Sequence, residues 1–185
     1  MKNETTGAKD PRLGGREIAD VVYGAEEIRT RVSELGREIT SAYADETHLL
    51  VIGTLKGSCL FLADLVREIS RPLEMDFLAA SSYGSGTVSS GEVRLLYGPT
   101  TELAGRTVLL VEDIVDSGAT LARLVPRLRD MGAARVDVCA LLHKRHDSVA
   151  HEVRFVGFDA PKRFLVGYGL DHAEAFRHLP YIASL

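Results

Sequence analysis

The chain has 185 residues, 45% of them hydrophobic and 26% charged, with a formal charge of −4. That describes one ordinary globular domain, able to bury roughly 70% of its unfolded surface without a disulfide or metal staple. No apolar run approaches the roughly 20 residues of a membrane helix, and the charge balance excludes a general pull toward nucleic acid or anionic membrane.

Residues 1–20 mix charge with Gly and Pro and lack periodicity. They are expected to form a loosely ordered tail on a single domain spanning 21–185. Met1–Asp10 is polar and lacks the apolar stretch of a secretory signal. From Glu26, Ile28, Val32, Leu35, Ile39 and Tyr43 recur at helical spacing. His48–Ile52 reads as a buried strand, Thr54–Ser58 as a turn, and Cys59–Ile69 as a helix stopped by Pro72. Met75–Ala80 predicts a second strand. The Gly- and Ser-rich run Ser81–Gly91 predicts a flexible loop, and Glu92–Tyr97 a strand paired nearby. Thr107–Val111 is strongly β-forming, Ala119–Met131 helical and Val136–Leu142 a buried strand, with Val153–Val156 and Phe164–Val166 completing the set. Strands that are continuously apolar and alternate with helices predict an α/β fold, a mostly parallel sheet flanked by helices on both faces. Cys59 and Cys139 form no CxxC pair and sit in apolar runs. Buried free thiols in a reducing compartment are expected.

The chemistry concentrates in Val108–Thr120. An apolar strand ends in two acids, Glu112 and Asp113, followed by Asp116-Ser117-Gly118-Ala119-Thr120 before a helix. The carboxyl ends of strands in open α/β sheets are where ligands bind. Small residues let backbone N–H groups converge on an anion, and a helix N-terminus favours it. The loop therefore suits one phosphate, and the acids suit hydroxyl groups or hydrated Mg²⁺. A solvated turn with Asp as helix cap is the plain alternative. Walker-type GxxxxGK[ST], complete GxGxxG, HExxH and GxSxG motifs are absent. His143 and His146 give HxxH without a third zinc ligand.

This stretch resembles the phosphoribosyl pyrophosphate motif of type I phosphoribosyltransferases. Leu55-Lys56-Gly57-Ser58, Asp76-Phe77, Ser81–Gly86, Lys144, Phe164–Asp171 and Arg177–Tyr181 follow in the order of the bacterial hypoxanthine (hypoxanthine–guanine) phosphoribosyltransferase family, so the likeness spans about residues 25–182. The resemblance implies a small hood built from the chain ends. It implies a cytoplasmic purine-salvage enzyme that transfers phosphoribosyl from phosphoribosyl pyrophosphate to N9 of hypoxanthine or guanine, releasing pyrophosphate. A preference for xanthine or another 6-oxopurine, and a non-catalytic sensing regulator, are the alternatives.

The resemblance also assigns roles. Ile114, Val115, Asp116, Ser117, Gly118, Ala119 and Thr120 would cradle the 5′-phosphate. Glu112 and Asp113 would serve the ribose diol and, with Asp171, Mg²⁺. Lys56, Gly57 and Arg177 would receive pyrophosphate. Asp116 would accept the N7 proton, or act as a plain helix cap. Lys144 would donate to the 6-oxo group, or stand in a solvated basic loop. Phe164 would stack on the base, with Leu165 backbone groups reading its edge, or belong to the core. Asp171 could instead cap Ala173–Arg177. Ser82 and Tyr83 would belong to a lid, the alternative being a plain hairpin. A non-proline cis peptide is implied at Leu55-Lys56, and a homodimer or homotetramer as the assembly.

Overall fold

The computed structural model describes residues 10–82, 93–145 and 151–185. The central sheet has six strands in the order β4-β3-β2-β5-β6-β7: β2 is Leu49–Leu55, β3 Glu74–Ser82, β4 Val93–Tyr97, β5 Thr107–Val115, β6 Arg135–His143 and β7 Phe155–Asp159. All neighbours are parallel except the β3–β4 pair. Parallel strands need long crossovers. These are supplied by α2 (Cys59–Glu68) between β2 and β3 and by α3 (Leu121–Asp130) between β5 and β6. The long α1 (Ala25–Ala42) precedes β2.

Successive side chains of a strand point to opposite faces, so each apolar strand feeds two cores. Val51, Leu109, Val111, Cys139 and Leu141 pack with Ile28, Val32, Leu35 and Ile39 of α1 and Phe61, Leu62 and Leu65 of α2. Leu50, Ile52, Val108, Leu110 and Val138 pack with Leu121, Leu124, Val125 and Leu128 of α3. The sheet is thus covered on both faces, which is why its strands read as unbroken apolar runs.

A second sheet joins the chain ends. β1 (Asp20–Tyr23), β9 (Ile182–Ser184) and β8 (Leu165–Val166) run in the order β1-β9-β8, all antiparallel. This hood has its own core of Leu13, Val166, Phe176, Leu179 and Ala183. Residues 10–20, expected as part of a loose tail, are tied into it. A 3₁₀ turn at Pro11–Leu13 buries Leu13, the Tyr181 hydroxyl donates to Asp10 at 3.0 Å, and the Ser184 hydroxyl donates to Asp20 at 2.6 Å. Their partners are all near the other end of the chain, so sequence-local reading could not find them.

Other departures have simple causes. The polar end of β2 was expected as a turn and that of β5 as a polar segment after the strand Thr107–Val111, yet both strands continue, because the ladders do. Thr54 and Leu55 pair with β3, and Glu112, Ile114 and Val115 pair with β6. Phe164–Val166 contributes to the hood rather than to the main sheet. The last strand of the main sheet falls at Phe155–Asp159, later than Val153–Val156. Cys139 is buried as expected, but Cys59 is exposed. It opens α2, whose buried stripe is taken by Phe61, Leu62 and Leu65. Among the described residues no helix is long and apolar enough to cross a membrane.

Candidate active site

The carboxyl ends of β2 and β5 and the segment 164–177 meet at one edge of the sheet. After β2 the chain turns sharply at Lys56-Gly57, and the Leu55-Lys56 peptide is cis, as the resemblance implied. Two neighbours close in on Gly57. A Cβ built on it would lie 1.7 Å from Asp113 Oδ2, and a Cβ on Gly169 (φ +101°) would lie 1.9 Å from the Gly57 carbonyl oxygen. Only glycine fits either position, so the β5 acid, the Lys56-Gly57 turn and the hood segment are stacked backbone to side chain.

The two adjacent acids diverge, as neighbours on a strand must. The Glu112 carboxyl is buried and accepts from the Thr54 hydroxyl at 2.7 Å. Its other oxygen, Oε1, is buried with no partner among the described residues. Burial pushes this carboxyl up to about 8, the Thr54 bond opposing and the Asp113 charge adding to the rise. Asp113, also raised chiefly by desolvation, accepts from the Ile114 N–H at 2.8 Å and feels the charges of Arg177 and Asp171. Asp171 Oδ1 lies 2.7 Å from Arg177 Nη2, and Asp171 Oδ2 accepts from the Glu174 N–H at 2.8 Å. No helix follows Asp171: a succession of turns does, with Ala173, Glu174 and Phe176 all at positive φ. Asp171 therefore caps a turn and pairs with Arg177 together.

Gly118 (φ +75°) turns the chain at Ser117–Thr120, ahead of α3. The run Ile114–Leu121 and Glu112 enclose a small cleft of about 90 Å³. The helix begins at Leu121 rather than Ala119, which leaves Ala119 and Thr120 in the loop. On the far side Lys144, whose N–H donates to the Val115 carbonyl at 2.9 Å, directs Nζ at Asp116 Oδ2, 2.6 Å away. Phe164 is 55% exposed, so it is not a core residue. The edge of its ring meets or is met by His172, the centroids 5.3 Å apart and the planes at 86°. Leu165 behind it is buried in the hood sheet.

The residues singled out from sequence therefore fall into three groups. Asp113, Gly57, Asp171 and Arg177 gather beside Lys56. Ile114–Thr120 form the loop cleft, with Asp116 and Lys144 in contact. Phe164 and Leu165 stand on the hood. Glu112 turns away from Asp113 toward Thr54, and among the described residues no three His, Cys, Asp or Glu side chains cluster as a metal site. Asp113 and Asp171 remain a donor set of hard carboxylate oxygens suited to Mg²⁺, whose remaining positions are commonly filled by water and substrate oxygens. Tyr83 and the side chain of Ser82 lie outside the described residues. Sequence reading missed Thr54, His172 and Glu174. Thr54 could have been suspected as a hydroxyl beside a strand end. Glu174 could not, because its direction depends on left-handed backbone at non-glycine residues.

Three comparisons bear on this site. The sequence model of the phosphoribosyl transferase domain matches residues 22–173. The hypoxanthine-guanine phosphoribosyltransferase of Bacillus subtilis is 48% identical over 170 residues, covering 91% of this chain and 94% of that protein. The enzyme of the same description from Mycobacterium avium is 46% identical over 191 residues, covering 100% and 94%. The crystal structure of a hypoxanthine phosphoribosyltransferase from Staphylococcus aureus superposes with a TM-score of 0.88 at 34% identity, covering 96% of each chain.

Proposed function

This chain belongs to the phosphoribosyl transferase family, and on that premise we propose that it transfers phosphoribosyl from phosphoribosyl pyrophosphate to N9 of hypoxanthine and guanine. The observation that carries the reading is the approach of Lys144 Nζ to Asp116 Oδ2, 2.6 Å, beside the loop cleft of Ile114–Leu121. O6 and N7 lie on the same edge of a 6-oxopurine. A donor and an acceptor this close can address both atoms at once, Lys144 giving a hydrogen bond to O6 while Asp116 takes the N7 proton.

In the step itself, the bond from ribose C1 to the pyrophosphate oxygen breaks and the N9 lone pair forms the new bond to C1. The N7 proton passes to the Asp116 carboxylate. The N–H groups and hydroxyls of Ser117–Thr120 hold the 5′-phosphate, aided by the start of α3. Lys56 and Arg177 neutralise the departing pyrophosphate, charge stabilisation aimed at the transition state. Asp113 and Asp171 would hold Mg²⁺, which when bound adds positive charge at the pyrophosphate. Asp113 suits this, since a partly desolvated carboxylate gains from a neighbouring cation. Glu112, buried against Thr54, would offer Oε1 to a ribose hydroxyl at the cleft wall. Phe164 presents an exposed ring for the base, and a lid role for Tyr83 and for Ser82, which ends β3, would exclude water from the cation-like sugar. A cytoplasmic homodimer or homotetramer belongs to the same reading.

A steady-state assay with Mg²⁺ and phosphoribosyl pyrophosphate against hypoxanthine, guanine, xanthine and adenine tests it. Turnover of the first two and rejection of adenine is expected, with Lys144→Ala raising the KM for 6-oxopurines by roughly 10–200-fold. No turnover with any base, or equal use of adenine, would refute the assignment.

A further inference from the structure

The two cations assigned to pyrophosphate are already bridged by a carboxylate. Glu174 Oε2 lies 3.1 Å from Lys56 Nζ and 3.4 Å from Arg177 Nη2. Lys56 and Glu174 are 118 positions apart in sequence, so the contact reaches from the turn after β2 to the hood segment. Glu174 is aimed by its backbone. It sits at φ +63° between Ala173 at φ +51° and Phe176 at φ +74°, and Asp171 Oδ2 accepts from its N–H at 2.8 Å. Arg177 is held separately, by Asp171 Oδ1 and by the Gly169 carbonyl, each 2.7 Å away.

We propose that Glu174 is a built-in counter-ion, a carboxylate that occupies the pyrophosphate cations in the ligand-free enzyme and yields to the incoming pyrophosphate group. The inference rests on the reading of Lys56 and Arg177 given above. The ion pair is poorly suited to be a structural fastening: the side chains of Lys56 and Glu174 are 67% and 66% exposed. Exposed pairs contribute little net stability and exchange readily. Glu174 instead competes for Lys56 and Arg177, which it contacts at 3.1 and 3.4 Å, until a more highly charged group arrives. Its negative charge, left beside bound pyrophosphate, then favours release of that product.

The test is calorimetric titration with inorganic pyrophosphate, with and without Mg²⁺, of the wild type, Glu174→Gln and Glu174→Asp. Glu174→Gln should bind about 3–10-fold more tightly at low ionic strength, with the difference narrowing in 0.5 M NaCl. Glu174→Asp, which keeps the charge, should stay near wild type. In kinetics the KM for phosphoribosyl pyrophosphate should fall in Glu174→Gln while kcat does not rise. Should Glu174→Gln not fold, Glu174→Asn, a residue tolerant of left-handed backbone, carries the same expectation. Unchanged or weaker pyrophosphate binding in the charge-removing variant overturns the proposal and leaves the functional reading standing. A folded wild type that binds neither pyrophosphate nor phosphoribosyl pyrophosphate overturns both.

Discussion

Glu112 is the residue whose environment departs furthest from what its neighbours in sequence suggest. Beside Asp113 it reads as half of an acidic pair at a strand's carboxyl end. In the fold it is buried, with one oxygen on Thr54 and the other without a partner among the described residues. Burial lifts its carboxyl from 4.5 to about 8. Below pH 4.5 the group is protonated in both folded and unfolded chains. Between there and about 8 the unfolded chain has released its proton and the folded protein keeps it. Folding stability then falls as pH rises, by at most about 1.4 kcal/mol per pH unit. Glu112→Gln, which keeps the hydrogen bond from Thr54 and cannot titrate, should lose that slope. Its urea midpoint should gain on wild type from pH 5 to pH 8. Parallel pH profiles for the two proteins would show that Glu112 is ionised throughout. Asp116 and Lys144 teach the complementary lesson. Their types and positions were readable, but their contact joins the end of β5 to the end of β6, and only the pairing of those strands creates it.

Among the elements, the strands are better defined by their partners than by their own composition. β5 runs four residues past its apolar stretch because its ladder with β6 continues to the Val115–His143 pair. The turn after β2 has the opposite character: its shape is set by what surrounds it. Asp113 Oδ2 and the Gly169 backbone leave room there only for hydrogen atoms. Gly169→Ala adds a methyl at φ +101° against the Gly57 carbonyl. The backbone of one segment or the other must move, at a cost of at least about 1–3 kcal/mol. We expect a lower urea midpoint and a fall in kcat/KM for phosphoribosyl pyrophosphate larger than that for the base. Wild-type values of both would mean that the 169–170 turn can relax without disturbing Gly57.

At the scale of the whole molecule, the site depends on two sheets holding station. The main sheet carries the Ser117–Thr120 loop, and the hood carries Phe164, Asp171 and Arg177. The hood's own core is small, with five buried residues among those described. One of them, Leu13, comes from the stretch that sequence reading assigned to a loose tail. Leu13→Ala should destabilise the protein by about 2–4 kcal/mol. It should also raise the KM for the purine more than that for phosphoribosyl pyrophosphate, because Phe164 rides on the hood. An unaltered midpoint would mean that the 3₁₀ turn does not fasten the hood.

Local order was written plainly in the sequence. The periodicity of α1, the apolar runs of β2, β5 and β6, and the small-residue composition of Ser117–Thr120 are properties of neighbouring residues, and neighbours share one backbone. The α/β class and the position of the loop at a strand's carboxyl end followed from them. The tertiary structure alone decided whatever joins residues far apart in the chain. It put the hood's strands together from both ends, turned Glu112 inward to Thr54, and brought Glu174 to Lys56. Side-chain direction at an irregular turn, and the dielectric around a carboxylate, are set by packing from distant segments, which no local pattern encodes.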